Sequence, residues 1–145
     1  MKQLTWEEYY DGFYDWAPST QKSYAYRLSD YGPADEVWEI AEELDFVDSA
    51  FAAKFLEKAF SAGVRFTPEQ VLEMVAMVDQ SLLSKMAEQT TVPFNREQLE
   101  EIYLMIDDFS FRKISRRSRI DVFDDVKELR RQAAASSAAR PKKKG

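Results

Sequence analysis

Between residues 66 and 121 the pattern of apolar positions repeats. Val71, Met74, Val75 and Val78 follow the i, i+3, i+4, i+7 spacing that lines one face of an α-helix, and Leu99, Ile102, Tyr103 and Ile106 follow it again 28 residues later. With Phe66 set over Phe94, seven of 23 aligned positions are identical: Phe66/Phe94, Glu69/Glu97, Gln70/Gln98, Glu73/Glu101, Met77/Met105, Asp79/Asp107 and Lys85/Lys113. Average residue usage gives about one or two. Thr67, Pro68 and Gln70 have the order of an N-cap, a first-turn proline and the closing residue of a capping box, and Asn95 with Gln98 repeats the box. Asp79 and Asp107, where each stripe ends, read as caps of second helices bearing Leu82, Leu83 and Met86, or Phe111 and Ile114. Each copy thus predicts a helical hairpin, and a fixed period predicts a repeat architecture.

The rest of the chain carries looser versions of the pattern. Trp6, Tyr9, Tyr10, Phe13 and Tyr14 share one helical face behind a Thr5–Glu8 capping box. Pro18 interrupts, Ser19 can cap a second helix with Tyr24 and Leu28, and Tyr31-Gly32-Pro33 stops it. From Asp35, the positions Val37, Glu39, Ile40 and Leu44 match Val71, Glu73, Met74 and Val78. Asp45 and Asp48 compete to cap the following helix, which carries Phe51, Phe55, Leu56 and Phe60 and ends at Gly63. Beyond the repeats, Asp121 introduces Val122, Val126 and Leu129 at helical spacing, and residues 135–145 have the composition of a disordered basic tail or linker.

Composition narrows the chemistry. The 145 residues contain neither cysteine nor histidine, which removes disulfides, thiolate metal sites and the commonest general base. Four glycines leave no phosphate-cradling loop. No run approaches the roughly 18 apolar residues of a membrane helix, and the acidic start is unlike a signal peptide, so a cytoplasmic protein is expected. The net charge of −6 is uneven: residues 1–111 hold 22 acids and 8 bases, residues 112–145 hold 4 acids and 12 bases.

Three sets of residues are candidates for function. The N-terminal rings, Tyr9, Tyr10 and Tyr14 among them, either seal the open end of a helical stack or face outward as anchors for a protein partner. Acids on residues 35–45, and Glu97, Glu100 and Glu101 in the last repeat, are either the solvated side of amphipathic helices or a surface for a basic groove; no EF-hand spacing is present. Arg112, Arg116, Arg117 and Arg119 replace the neutral and acidic residues of the first copy, and either complement a helix C-terminus or contact nucleic acid or an acidic partner. Asp107 and Asp108 adjoin but do not face each other on a helix, so no catalytic constellation is read.

The stretches Leu4-Thr5-Trp6-Glu7-Glu8-Tyr9-Tyr10, Tyr31-Gly32-Pro33 with Asp35-Glu36, Ala62-Gly63-Val64-Arg65-Phe66 and Gln98-Leu99-Glu100-Glu101-Ile102-Tyr103 together resemble a group of short, acidic, helical proteins of gut Firmicutes found around mobile elements. The resemblance spans about residues 4–123, implies no catalytic residues and implies that some relatives continue past a linker.

The sequence therefore predicts an all-α fold of tandem helical hairpins, with a repeat of about 28 residues, stacked as a short solenoid or irregular bundle. One domain is expected over 1–134, comprising an aromatic first hairpin 4–32, an expanded hairpin 33–65, repeats 66–93 and 94–121 and a final helix 121–134, with the tail at 135–145. The expected function is non-catalytic protein binding, as adaptor or inhibitor, with no cofactor, no metal and no membrane segment, and with another protein favoured over nucleic acid as partner. The alternatives are an acidic DNA mimic that inhibits a nuclease on behalf of a mobile element, and a nucleic-acid-binding accessory protein acting through the basic end.

Overall fold

The computed structural model describes residues 2–120. The regular elements among them are helices, besides one isolated parallel bridge between Leu4 and Leu28. The helices are α1 (Trp6–Gly12), α2 (Pro18–Ala25), α3 (Ala34–Val47), α4 (Ser49–Ser61), α5 (Pro68–Glu73), α6 (Gln80–Glu88), α7 (Arg96–Ile102) and α8 (Asp108–Ser118). Among the described residues no helix is long and apolar enough to cross a membrane. The expected final helix at 121–134 and the tail at 135–145 lie outside the described residues.

Capping chemistry sets most helix starts. Thr5, Thr67 and Asn95 each close a capping box, with Glu8, Gln70 and Gln98, so that two otherwise orphaned backbone N–H groups are satisfied at each site. Asp48, Asp79 and Asp107 accept the backbone N–H groups of Phe51, Leu82 and Ser110 at the starts of α4, α6 and α8. The competition between Asp45 and Asp48 is thus resolved for Asp48. At the end of α4, Gly63 takes φ +107, its N–H donates to Phe60 O and that of Val64 to Ala59 O, each at 3.0 Å.

Three local expectations need correction. Pro18 begins α2 as its first residue after Ala17, because a fixed φ and a missing N–H suit that position, so Ser19 is not the cap. Leu28 lies outside α2, where its backbone neighbourhood pairs with Leu4: Leu4 N–H donates to Arg27 O and Ser29 N–H to Leu4 O. The first helix of each repeat is also shorter than its stripe. α5 stops at Glu73 and tightens into the 3₁₀ turn Met74–Ala76, and α7 stops at Ile102, in both cases before Asp79 and Asp107 take extended ψ to cap the next helix. The stripes still reach the core: Val71, Met74 and Val78 are buried, as are Leu99, Ile102 and Ile106.

The elements pack in two rows. In the first, Gln70 Nε2 donates to Asp35 Oδ1 at 2.8 Å and Trp38 Nε1 to Glu73 Oε2 at 3.0 Å, joining α3 to α5, and α5 packs on α7. In the second, Phe60 and Lys58 of α4 share a groove with Leu82 and Lys85 of α6, and α6 packs on α8. Lys113 of α8 pairs with Glu88 of α6 at 3.1 Å. The core lies between the rows and includes Ile40, Leu44, Leu56, Val71, Met74, Leu83, Leu99, Phe111 and Ile114. Phe66 and Phe94, just before α5 and α7, are both fully buried, which stabilises each hairpin by about 1.5–3 kcal/mol per ring. The N-terminal segment covers α3 and α4, with Trp6, Tyr9 and Tyr31 packed around Phe55.

Candidate functional site

The two rows differ sharply in charge. On the first row, α3 carries six acids, α5 two and α7 three, against the single base Arg96. The second row is opposite in sign: Lys54 and Lys58 with Glu57 on α4, Lys85 with Glu88 on α6, and Arg112, Lys113, Arg116 and Arg117 with Asp108 on α8. Among the described residues, α4 and α8 are net basic and α6 is neutral, so the charge divides between an acidic first row and a second row that is basic in sum.

The N-terminal tyrosines divide. Tyr9 is fully buried and its hydroxyl donates to Gln21 O at 2.7 Å, so it belongs to the core and is not a surface anchor. Tyr10 and Tyr14 instead reach the acidic row, where their hydroxyls donate to the two carboxylate oxygens of Glu39 at 2.9 and 2.8 Å. The hydrogen bond to Glu39 raises the Tyr10 hydroxyl above the usual tyrosine range, followed by loss of hydration and the charge of that carboxylate. For Tyr14, loss of hydration comes first and the Glu39 hydrogen bond second, although its side chain remains 57% exposed. The rings and the acids, separate candidates in the sequence, therefore meet at one carboxylate.

The last repeat distributes its acids along α7. Glu97 and Glu101 are exposed, and Glu100 pairs with Arg96 one turn back at 3.7 Å. Across the described residues, no group of three or more acids converges where it could hold a metal ion. Asp79 and Asp107, read as caps, serve as caps. Backbone N–H donation from Ser110 holds the Asp107 carboxyl below the usual aspartate range, and the hydroxyls of Ser110 and Ser84 add to it.

The four arginines differ in what they do locally. Arg117 is a structural brace: its guanidinium donates to Thr90 Oγ1 at 3.0 Å and to Thr90 O at 2.6 Å, fixing the loop before the last repeat. Arg119 adopts φ 57 as the residue that ends α8, and its N–H donates to Arg116 O. Arg112 and Arg116 lie on the exposed side of α8. Comparison with protein-family models, curated proteins and solved structures finds no match to this chain.

One feature escaped the sequence reading. Phe46, in the last turn of α3, is 89% exposed beside a groove formed by Trp38, Glu42, Asp45, Glu73, Ala76 and Met77. The signal was present: the α3 stripe Val37, Ile40, Ala41 and Leu44 leaves position 46 on the opposite side of the helix. Phe109, 68% exposed in the first turn of α8, and Leu104 and Met105 before it form a second exposed apolar stretch, with Lys113 over the Phe109 ring at 4.5 Å.

Proposed function

We propose that the chain is a non-catalytic protein-interaction module, a short stack of tandem helical hairpins that binds one partner stoichiometrically as an adaptor or inhibitor, in the cytoplasm. The observation that carries this reading is the separation of charge between the rows, with acidic α3, α5 and α7 in the first and Phe46 exposed in the last turn of α3. A surface of one sign steers a partner of the other sign and excludes like-charged competitors, while an exposed ring supplies a hydrophobic anchor. In its sharper form, the partner's basic surface is the nucleic-acid groove of a nuclease, and the chain acts as an acidic mimic of DNA carried by a mobile element.

Capture from a host lysate followed by mass spectrometry tests the proposal. The expected result is a one-to-one complex that is lost when Glu97, Glu100 and Glu101 are changed to Lys and kept when Arg112 and Arg116 are changed to Glu. Competition by duplex DNA for the same partner supports the mimic form, and unchanged inhibition of nucleases by the triple Lys variant sinks it. Retention of the complex in the Lys variant and its loss in the Glu variant moves the binding face to the second row.

The basic end supports a second reading, direct contact with nucleic acid through Arg112, Arg116 and Arg119, with Arg117 braced on Thr90. It requires an affinity that falls steeply with salt. A filter-binding series without a complex at low salt removes it.

A further inference from the structure

The groove between α3 and the segment formed by α5 and its 3₁₀ turn combines three features. Its apolar lining is Trp38, Ala76 and Met77, and Phe46 stands exposed beside them. Its remaining walls are the carboxylates of Glu42, Asp45 and Glu73. Neither α3, α5 nor the 3₁₀ turn carries a lysine or arginine. Glu73 is oriented by the Trp38 indole N–H at 3.0 Å, whereas Glu42 and Asp45 have no hydrogen-bond or ion-pair partner among the described residues. Loss of hydration, then the carboxylates of Glu73, Glu43 and Glu39, raise the Glu42 carboxyl.

We infer that this groove is the docking cleft for a basic amphipathic segment of the partner protein, an inference that rests on the protein-binding function proposed above. The charge of the occupant follows from the three carboxylates, and its amphipathic character from the apolar lining and the exposed ring. An arginine or lysine head enters among Glu42, Asp45 and Glu73 while its aliphatic stem lies across Trp38 and Met77. An apolar side chain of the same segment covers the Phe46 ring. The groove on the other row, between α4 and α6, contains Lys58, Arg65 and Lys85 with Glu57 and repels the same segment.

The test uses the full chain, labelled with ¹⁵N, and a synthetic peptide of about 18 residues with leucine and lysine at amphipathic helical spacing, set against the same peptide with glutamate for lysine. The lysine peptide is expected to shift the Trp38 indole resonance, and the glutamate peptide to leave it in place. Phe46→Ser, and the pair Glu42→Lys with Asp45→Lys, should each weaken binding about tenfold or more. Glu7→Lys with Asp11→Lys makes the same charge change at exposed positions of α1 and should weaken it about twofold or less. Equal loss in the two Lys pairs, or no binding of the lysine peptide, overturns the groove. A dimer that the peptide dissociates, or an affinity that rises about tenfold when residues 140–144 are removed, assigns the groove to the chain itself and overturns a foreign occupant. Any of these failures leaves the proposed function standing, because that is decided by the natural complex and by the Glu97, Glu100 and Glu101 variant.

Discussion

At Gly32, an added Cβ would stand 2.1 Å from Cδ1 of Trp6, whose ring is buried and whose Nε1–H is fixed to Glu36 Oε1 at 2.8 Å. A ring held by packing and a hydrogen bond cannot give way cheaply, so Gly32→Ala is expected to cost about 1–3 kcal/mol of stability in urea unfolding. Gly63 makes the useful contrast, since an added Cβ there meets nothing within 4 Å and the cost comes only from φ +107. Tyr9 gives a prediction with a pH sign. Burial, and then Tyr31, raise its hydroxyl above the usual tyrosine range, so the neutral form is favoured in the folded state. Its contribution is complete below the unfolded value of about 10 and is lost as pH rises from there through the folded value. Stability measured by urea unfolding should therefore fall above about pH 10 and fall less steeply in Tyr9→Phe. At neutral pH that variant should lose about 1 kcal/mol with the hydrogen bond to Gln21 O. That Tyr9 is core while Tyr14 is surface was not legible in the sequence, because both lie on the same apolar stripe. The 3₁₀ turn Phe13–Asp15 and the carboxylate at Glu39 separate them, and neither shows in local spacing.

The elements themselves were the most legible part. Short polar residues before an apolar stripe have one favourable use at a helix start, and Thr5, Thr67, Asp79, Asn95 and Asp107 all have it. Helix ends were less legible, since an apolar stripe continues through a 3₁₀ turn without a change in spacing, as Met74 and Val78 do. The caps that begin the second helices of the two repeats are identical in sequence but differ in surroundings. Asp79 accepts Leu82 N–H at 2.8 Å, whereas Asp107 accepts Ser110 N–H at 2.8 Å and also the hydroxyls of Ser110 at 3.1 Å and of Ser84, on α6, at 3.3 Å. Asp79→Ala should then cost about 1 kcal/mol and Asp107→Ala nearer 2 kcal/mol, compared by urea unfolding of the two variants. The difference should vanish at low pH. Because the folded Asp107 carboxyl lies below its unfolded value of about 3.9, its contribution is present above that value and is lost as pH falls through the folded one. An equal cost for the two substitutions would mean that the hydroxyl bonds from Ser110 and Ser84 contribute nothing.

Taken together, residues 2–120 set an acidic row, α3, α5 and α7, against a row whose net positive charge comes from α4 and α8. That division could not be read from local pattern, because it depends on α3, α5 and α7 lying side by side. The arrangement costs stability, most clearly on α3. Asp35–Glu39, Glu36–Glu39, Glu39–Glu42, Glu39–Glu43 and Glu42–Asp45 are like-charge pairs three or four residues apart, and the helix has no base. Each such pair is unfavourable by about 0.2–0.5 kcal/mol. These neighbours lie on an exposed helix face, where salt screens their repulsion, so salt should stabilise the protein. Two substitutions on α3 separate this effect from local bonding. Glu43 is exposed, and Glu43→Lys replaces repulsion from Glu39 by an i,i+4 pair in the favourable order. It should gain about 0.5 kcal/mol at low salt, and the gain should shrink in about 1 M salt, where the screening length falls to about 3 Å. Glu39→Lys removes as much negative charge but also the acceptor of the Tyr10 and Tyr14 hydroxyls, and should destabilise at both salt concentrations. Thermal melts of the two variants in low and high salt measure both effects. If both variants stabilise alike, net charge alone governs α3 and the Glu39 hydrogen bonds contribute nothing to the fold.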